Sequence, residues 1–423
     1  MSPVFGKVPC SFNLTPNMMR LIFSVVVALQ LLLASGDSSA QQLQVGYLIT
    51  SGQRPAFENI FDRFTHETGI RIVGIPRKDE GFRHDMPIWL LQGKETPDIV
   101  YWQASQRLFF YAAQNALHPI TQLWKDENFD KDFAHVKTGV TFKGEIYALP
   151  IHYYSWGLYF KKSVIEEFGG VPGSWEEFVS LCSRVKNAGI TPIGLGSKDR
   201  WPVAAWFDYI DLRLNGLDFH LKLLNGEIPF TDARVQHVLL EWKRLIDLKF
   251  FNQDSARIDW DEVFPYMYRN EIAFTLAGNF VTTKLPNAMA STIGLMAFPK
   301  MANMDDYEEA PMNVLIIPKS AKHIENAEKF IKFMARADVQ SELAAELGYL
   351  PANRAGTIGS GVFIKAGADM LHKAVGISQY FDRDTIPAFE QKALPILNDF
   401  VQTGDIKLTT DTLEKARKES FHE

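Results

Sequence analysis

Residues 43–75 read LQVGYLITSGQRPAFENIFDRFTHETGIRIVGI, and their pattern of apolar residues indicates the class of fold. The first seven residues of this stretch are apolar enough for a buried strand. The middle part then carries apolar side chains at the spacing of one helical face: Phe57, Ile60, Phe61 and Phe64. Gly69 ends that helix, and the last six residues again have the pattern of a strand. The stretch therefore predicts a strand, a helix and a second strand joined by short loops.

The alternation of strands and helices continues beyond this stretch. A short helix is expected over 88–92, a strand over 97–101 and a helix over 106–115. Later elements of the same kinds are expected over residues 174–188, 235–248, 271–277, 314–317 and 325–334. Strands that alternate with helices through short loops imply an α/β protein with a mostly parallel sheet and helices on both of its faces.

The N-terminus has the pattern of a secretory signal. Residues 21–34 form an apolar run of about 14 residues, shorter than the roughly 20 that a spanning helix needs. Lys7 and Arg20 precede the run, and Ser38-Ser39-Ala40 follows it with the small residues typical of a cleavage site. We expect residues 1–40 to be a signal peptide that is cleaved near Ala40, which places the mature protein in the periplasm. A retained membrane anchor is the alternative.

The composition argues against several classes of protein. The chain has a formal net charge of −6, and removal of Lys7, Arg20 and Asp37 with the signal would leave −6 − 1 = −7. A mildly acidic chain lacks the basic stripe of nucleic-acid-binding proteins, so no nucleic-acid partner is expected. The ten histidines and two cysteines form no HExxH motif and no Cys/His cluster. We therefore expect no metal and no cofactor.

The length favours two domains. About 380 residues would remain after cleavage, which exceeds the usual size of one core. The sequence shows no low-complexity linker and no repeat. Two closely joined lobes are therefore expected.

Eight short motifs occur in an order that resembles one family. They are residues 68–70, 93–99, 117–120, 144–150, 173–178 with 189–193, 273–280, 317–320 and 348–352. In order and spacing they resemble the family 1 extracellular solute-binding proteins, the carbohydrate receptors of ABC importers. The resemblance covers residues 43–400, which is nearly the whole chain after the signal.

The resemblance implies a two-lobed α/β fold, the type II periplasmic-binding-protein fold, with a central ligand cleft and several crossings between the lobes. The lobes would be residues 41–150 with 314–347 and residues 153–310 with 351–423. The crossings would lie near Pro150, Asn313 and Gly348. We expect the lobes to close on a ligand by hinge motion at these places.

Candidate binding residues follow the first predicted strands. Ligands of open α/β sheets bind outside the carboxyl ends of the strands. A sugar needs aromatic rings for its C–H faces and polar groups for its hydroxyls. Trp102 and Gln103 follow the strand at 97–101, and Gln53 and Arg54 follow the first strand. The alternatives are that Trp102 covers the next helix and that Gln53 and Arg54 solvate a helix N-terminus.

Two further groups of candidates come later in the chain. Tyr154 and Trp156 follow the first expected crossing, where an aromatic linker would lie at the base of the cleft. Asp199 and Arg200 place a charged pair beside Trp201, an arrangement that suits a polyol. The alternatives are that some of these aromatic side chains pack in the core and that Trp201 staples a helix.

Gly278, Asn279 and Phe280 stand where many members of the resembled family carry Gly-x-Trp or Gly-x-Phe. Gly278 would allow close approach of the backbone, Asn279 would supply a donor and an acceptor, and Phe280 would stack on a sugar. The alternative is a Gly-Asn turn with Phe280 in the core. Asn313 at the second crossing and Arg354 after the third complete the candidates. Stacking on Trp102 and Phe280 is expected to dominate the affinity.

These observations predict a monomeric periplasmic carbohydrate-binding protein that delivers its sugar to the membrane permease of an ABC importer and is not an enzyme. The abundance of aromatic residues favours an oligosaccharide. A sugar sensor that reports to a membrane signalling receptor is the alternative function. A glycoside hydrolase would need two facing carboxylates, and the acidic group Asp259, Asp261 and Glu262 is interpreted as a solvated face.

Overall fold

The computed structural model describes residues 42–49 and 52–421, apart from the side chains of residues 79, 80, 284 and 287. The predicted signal peptide and its cleavage site lie outside the described residues. Among the helices that are described, none is long and apolar enough to cross a membrane.

The strands form two main sheets and two small pairs. In chain order they are β1 Gln42–Leu48, β2 Arg71–Arg77, β3 Ile99–Gln103, β4 Leu117–His118, β5 Thr141–Phe142, β6 Glu145–Ile146, β7 Ala148–Tyr153, β8 Trp156–Lys161, β9 Thr191–Gly194, β10 Ile272–Gly278, β11 Ile293–Met296, β12 Tyr307–Glu309, β13 Met312–Pro318, β14 Leu350–Pro351 and β15 Gly376–Ser378. The first sheet has the order β14-β7-β13-β3-β1-β2, with β4 paired to β13, and the second has the order β11-β8-β10-β9. The small pairs join β12 to β15 and β5 to β6.

Helices cover and connect these sheets. They are α1 Arg54–Thr68, α2 Asp79–Leu90, α3 Gln106–Ala113, α4 Thr121–Asp126, α5 Asp130–Phe133, α6 Lys162–Glu167, α7 Trp175–Asn187, α8 Ala204–Leu224, α9 Ala233–Asp247, α10 Val263–Tyr268, α11 Asn287–Ala290, α12 Ile324–Met334, α13 Ala337–Leu347, α14 Val362–Lys373, α15 Phe381–Asp384, α16 Pro387–Thr403 and α17 Ile406–Phe421. Short 3₁₀ turns span Ala134–Val140, Trp201–Val203, Trp260–Glu262 and Asn279–Lys284.

The opening strand, helix and strand are confirmed. The four apolar residues predicted for the face of α1 are all buried. Tyr47 of β1 packs its ring against those of Phe57 and Phe61, with centroids 5.0 and 5.2 Å away. Gly69 ends α1 with φ 73°, and its N–H donates to the carbonyl of Thr65. The apolar face of α1 thus fixes the helix on the sheet. The short helix expected over 88–92 is instead the longer α2, which ends at Leu90.

The expectation of a mostly parallel sheet is wrong for both main sheets. In the second sheet β10 is parallel to β9, but β8 is antiparallel to both β10 and β11. The first sheet shows the same mixture. β1 and β3 run parallel, but β13 is antiparallel to both β3 and β7, and β14 is antiparallel to β7. The rule that favours parallel strands applies to strands joined by a crossover helix within one sheet. β13 enters from the side of the second sheet, so that rule does not fix its direction.

The first passage between the sheets comes later than expected. It lies at Tyr154 and Ser155, between the end of β7 and the start of β8. Pro150 is inside β7, where it faces Val314 beside a register shift in β13 that accommodates a residue without an N–H. The carbonyl of Pro150 accepts a hydrogen bond from Gln340 Nε2 at 2.9 Å.

The other two expected crossings lie close to the observed passages. Asn313 is the second residue of β13, so the chain has just returned to the first sheet there. Gly348 ends α13 with φ 75°, but β14 after it still pairs with β7 of the first sheet. The third passage therefore follows Pro351. The lobe ranges 41–150 with 314–347 and 153–310 with 351–423 stay predictions.

Two loops at the edge of the second sheet meet at Gly196. A Cβ at this position would lie 2.2 Å from the carbonyl oxygen of Asp259. Hydrogen bonds hold the loops together, with the Ser197 N–H donating to the Ser255 carbonyl at 2.7 Å. Gly196 thus lets the segment that carries Trp201 lie against the segment that carries Trp260.

We predict that Gly196→Ala lowers the free energy of unfolding by about 1–3 kcal/mol, because a methyl group cannot be accommodated against backbone atoms. Gly81→Ala is the matched control, since a Cβ there would meet only the end of the Arg77 side chain at 3.7 Å. Gly81 lies in α2, so that variant should keep or raise stability by up to about 1 kcal/mol. Urea unfolding of both variants checks this, and equal stabilities would contradict it.

Buried acidic groups lie beneath the segment that follows β15. Asp208 of α8 accepts the Phe381 N–H through Oδ2 at 2.6 Å, and Glu309 of β12 is also fully buried. Burial raises the pKa of Asp208 to about 7 and raises the pKa of Glu309 well above its ordinary value. Burial lowers the pKa of His220, but its hydrogen bond with Asp211 at 2.8 Å and the charge of Asp208 outweigh burial and raise that pKa.

We predict that stability falls as pH rises from about 4 to 7. In this range an unfolded aspartate, with a pKa of about 3.9, has lost its proton, whereas folded Asp208 retains it. The unfolded state then binds fewer protons, so the free energy of unfolding decreases by at most about 1.4 kcal/mol per pH unit for this group. The raised pKa of His220 acts in the same direction. Asp208→Asn should flatten the slope in urea unfolding between pH 5 and 8; an unchanged slope would contradict the assignment.

Candidate functional site

A cavity of about 130 Å³ lies between the two main sheets. Strands of the first sheet supply one side, and β8 and the turn after β10 supply the other. We call it the interlobe pocket. It is lined by Leu48, Gln53, Arg83, Tyr101, Gln103, Tyr154, Trp156, Asp199, Trp201, Trp260, Phe280, Asn313, Tyr349, Tyr380, Asp382 and Arg383.

The lining divides into an interior and a mouth. Residues that keep solvent exposure form the mouth: Leu48, Arg83, Asp199, Trp201 and Trp260. The remaining lining residues are buried and form the interior. A ligand in the interior would therefore be largely removed from water, which strengthens its polar interactions.

Aromatic rings form a continuous wall around the interior. Phe280 is the hub, with its ring centroid 5.6 Å from that of Tyr154, 5.8 Å from Trp156, 5.9 Å from Trp201 and 5.0 Å from Trp260. The wall continues through further pairs: Trp156 stacks on Tyr380 at 4.7 Å, and Tyr154 stacks on Tyr349 at 5.0 Å. Edge-to-face and offset contacts of this kind hold the rings rigidly.

Polar groups stand beside this wall. Arg383 donates through Nη1 to the Met312 carbonyl at 3.1 Å and to Asn313 Oδ1 at 3.2 Å, and through Nη2 to the Tyr154 hydroxyl at 2.9 Å. Gln103 lies opposite Asn313 in the register of β3 and β13. In the part of the chain that is described, Gln103 Nε2 and Asn313 Nδ2 form no hydrogen bond, so both donors remain for a ligand.

A buried ion network fixes one end of the pocket. Asp382 Oδ2 lies 3.1 Å from Arg83 Nη2 and 3.0 Å from Arg107 Nη2, and Glu390 Oε1 lies 2.7 and 2.6 Å from the same two guanidinium groups. Burial raises the pKa of Asp382, but the charges of Arg107 and Arg83 outweigh it and hold that pKa below its ordinary value. Arg107 also donates to Gln103 Oε1. Asp382 is therefore ionised and fixed in place.

Below the interior, a histidine is held neutral. Burial and the nearby charge of Arg383 lower the pKa of His152 to about 3. Its Nε2 lies 2.9 Å from the Tyr101 hydroxyl. On the other side, Gln53 Nε2 donates to the Tyr349 hydroxyl at 3.0 Å. The base of the pocket thus presents neutral groups that are already ordered by hydrogen bonds.

The structure brings together most of the residues predicted from the sequence. Those that line the interlobe pocket are Gln53, Gln103, Tyr154, Trp156, Asp199, Trp201, Phe280 and Asn313. They come from six separate stretches of chain. Their shared pocket shows that these loops converge, as the resemblance implied.

Trp102 lies outside the pocket, contrary to its expected place. Its ring stacks on Phe82 at 5.9 Å, and its Nε1 donates to the Arg107 carbonyl at 3.2 Å. Successive side chains of a strand point to opposite faces, so Trp102 and Gln103 of β3 cannot both face the pocket. The pocket side of β3 instead carries Tyr101 and Gln103.

Gly278 and Asn279 support the pocket without lining it. A Cβ at Gly278 would lie 2.6 Å from the Phe280 ring and 2.9 Å from the Tyr154 ring, so glycine leaves room for both rings. Asn279 is fully buried, accepts a hydrogen bond from the Tyr159 hydroxyl and donates to the Phe363 carbonyl at 3.3 Å. The side-chain amide of Asn279 is thus used within the fold.

Three predicted arginines are exposed and do not line the pocket. Arg54 pairs with Glu58 at 2.7 Å on the surface of α1. Arg200 precedes the Trp201 turn with φ 66°, and the Arg354 N–H donates to the Asp132 carbonyl at 3.0 Å. Arg200 was predicted to bind only because it lies beside Trp201. A neighbouring position in the sequence does not determine the direction in which a side chain points.

Half of the lining was missed by sequence reasoning. The missed residues are Leu48, Arg83, Tyr101, Trp260, Tyr349, Tyr380, Asp382 and Arg383. Side chains two residues apart on a strand share a face. The prediction that Gln103 binds the ligand could therefore have included Tyr101. No local signal distinguishes Tyr380, Asp382 and Arg383, because their segment reaches the pocket only through the packing of α15 on α8 and α3.

Residues 50–341 match the bacterial extracellular solute-binding proteins as a family. The chain is a bacterial extracellular solute-binding protein. The family predicted from the eight motifs is thereby confirmed, as is the expectation that the chain is not an enzyme, because members of this family are non-enzymatic components of transport.

Curated relatives agree with this assignment. The solute-binding protein is 25% identical over 322 residues to an uncharacterized ABC transporter extracellular-binding protein of Pyrococcus horikoshii, covering 74% of this chain and 71% of that protein. It is 23% identical to the melibiose/raffinose/stachyose-binding protein of Bacillus subtilis, over 58% of this chain and 59% of that protein. It is 26% identical to a probable sugar-binding periplasmic protein of Mesorhizobium japonicum, over 49% of this chain and 50% of that protein. The chain thus spans about half the length of several curated relatives.

Solved structures confirm the two-lobed fold. The bacterial solute receptor AcbH, described as preferring β-D-galactopyranose exclusively, superposes with a TM-score of 0.85 at 23% identity, covering 90% of this chain and 99% of that one. A chitin oligosaccharide binding protein superposes with a TM-score of 0.80 at 18% identity, covering 90% of this chain and 99% of that one. At this identity the likeness shows the fold, and the solute is a separate question.

We predict that substitution of Trp102 affects stability, whereas substitution of the adjacent Gln103 affects solute binding. Trp102→Ala should lower the free energy of unfolding by about 3–5 kcal/mol, because it leaves a cavity in the core, and should leave the solute Kd of the folded protein unchanged. Gln103→Ala should weaken binding by about 0.5–1.5 kcal/mol through the loss of a hydrogen bond. Thermal unfolding and calorimetric titration check both, and weaker binding by a stably folded Trp102→Ala variant would contradict the placement.

Proposed function

We propose that the interlobe pocket binds a carbohydrate and that the protein presents it to the membrane permease of an ABC importer. The observation that carries the proposal is the pairing of aromatic rings with fixed polar groups around one cavity. Rings such as Trp156 and Tyr380 suit the C–H faces of a sugar. Gln103, Asn313 and Arg383 stand within the same lining and suit its hydroxyls.

The relatives support this solute class. Their names describe binding proteins for melibiose, raffinose and stachyose, for α-glucosides and for multiple sugars. Among the structural neighbours, the described ligands extend from galactopyranose to maltose and chitin oligosaccharides. These names favour a sugar but span different lengths, so the length of the sugar must be argued from the pocket.

The names of the relatives also favour import over the sensory alternative. Two of the relatives are named as extracellular-binding proteins of ABC transporters, and such a protein has a permease as its partner. We propose that this chain acts in the periplasm as a monomer with that role. The pocket carboxylates also fit a binding role, because Asp382 is ionised and paired with two arginines and has no proton to give a leaving group.

We predict that a carbohydrate raises the melting temperature of the purified protein and is recovered unchanged. A ligand at 100 times its Kd stabilises the folded state by about 2.7 kcal/mol, which a thermal-shift screen of neutral sugars detects. Chromatography after prolonged incubation should show only the starting sugar. The matching cellular test is uptake of the labelled sugar, which deletion of the gene should abolish. Absence of a shift with every sugar would refute the proposal, and a lost transcriptional response with normal uptake would favour sensing.

A further inference from the structure

The size of the interlobe pocket limits the length of its ligand. The cavity measures about 130 Å³. For comparison, an engineered core cavity of about 150 Å³ in another protein holds one benzene ring. A pyranose is also a six-membered ring, and its hydroxyl groups make it larger than benzene. The cavity volume therefore limits the ligand to no more than one sugar ring, and a linked second ring would have to lie outside the pocket.

The arrangement of the aromatic rings also favours a ligand with a single sugar ring. A binding groove for a chain of sugars needs separate rings along its length, with open space above each. Here the two mouth tryptophans stand edge to face against the hub ring, with interplanar angles of 65° for Trp201 and 89° for Trp260 relative to Phe280. Trp201 also lies edge-on to Trp156 at 6.1 Å. The two tryptophans therefore stand at the mouth with their rings packed edge to face against the hub, an arrangement that does not provide a row of separate sugar platforms.

The charges around the pocket balance. The lining carries Arg83 and Arg383 against Asp199 and Asp382. Arg83 and Asp382 are already paired with each other, and Arg383 is bound by three neutral oxygen acceptors while it lies close to the charge of Asp382. An anionic ligand would have to enter beside the ionised Asp382 carboxylate, and the repulsion between two like charges is unfavourable in a buried site.

We propose that the interlobe pocket binds a single uncharged pyranose-sized sugar, a monosaccharide, and that Trp260 with Trp201 excludes a second ring. The proposal rests on the proposed carbohydrate-binding function and narrows its substrate class. It also replaces the expectation of an oligosaccharide, which came from the number of aromatic residues. In the folded chain those residues surround one cavity.

Calorimetric titration of the purified protein tests the proposal directly. The probes are glucose, galactose and mannose, the disaccharides maltose, lactose and melibiose, and the acids glucuronate and galacturonate. At least one neutral hexose should bind about tenfold or more tightly than every disaccharide that contains it and than its uronic acid. A disaccharide that binds more tightly than its component hexoses, or a uronate that binds best, overturns the proposal.

The mouth is tested with Trp260→Ala. If Trp260 closes the pocket, its removal should lower the ratio of the disaccharide Kd to the monosaccharide Kd by about tenfold, because the second ring is then accommodated. If Trp260 instead stacks on a second sugar, the ratio should rise, and that result overturns the proposal, as does an unchanged ratio. Trp260→Phe keeps an aromatic ring at the mouth and should stay close to the wild-type ratio. Melting curves of both variants confirm that they are folded.

The outcomes also separate the two proposals. Tight binding of longer sugars alone would leave the carbohydrate-binding function standing and remove the monosaccharide assignment. If no sugar of any length binds, the carbohydrate-binding function itself fails, and the monosaccharide assignment fails with it.

Discussion

The guanidinium group of Arg383 is the interaction on which the binding site depends. Arg383 is almost fully buried, and a buried charge is tolerated only where its donors are satisfied. Its donors go to the Met312 carbonyl and the Asn313 side chain on β13 and to the Tyr154 hydroxyl at the passage between the sheets. One side chain thus ties the segment after β15 to the first sheet and to the passage that leaves it. This arrangement places Tyr380 and Asp382 in the pocket.

The same segment is held from behind by buried acidic side chains. Asp208 accepts the Phe381 N–H, and Asp384 accepts the Ser105 hydroxyl and the Gln379 N–H at 2.7 Å each. In front, Arg83 and Arg107 hold Asp382. Because removing one member of a buried network leaves its partner unpaired, such networks favour one arrangement of the chain over near alternatives. The part of the pocket wall that this segment forms is therefore ordered before a ligand arrives, which reduces the entropy lost on binding.

The aromatic residues divide between core and pocket by their place on each element. Trp102 and Trp156 are both buried tryptophans at strand ends, yet Trp102 packs on Phe82 in the core and Trp156 stacks on Tyr380 in the pocket. Burial alone does not distinguish the two roles. What distinguishes them is the neighbouring ring, because the pocket rings come from distant parts of the chain and leave one cavity between them.

The family, the α/β class and most of the elements with amphipathic faces could be predicted from the sequence, because apolar periodicity and turn residues act locally. The spacing of the apolar residues on α1, all four of which are buried, is an example. The long helix α8 was not predicted, because it is buried on nearly all sides and lacks a single apolar face. Half of the pocket lining followed from loops at strand ends. Only the tertiary structure decided the direction of β13, the core position of Trp102 and the place of Asp382 and Arg383, because each depends on contacts between residues that are far apart in the chain.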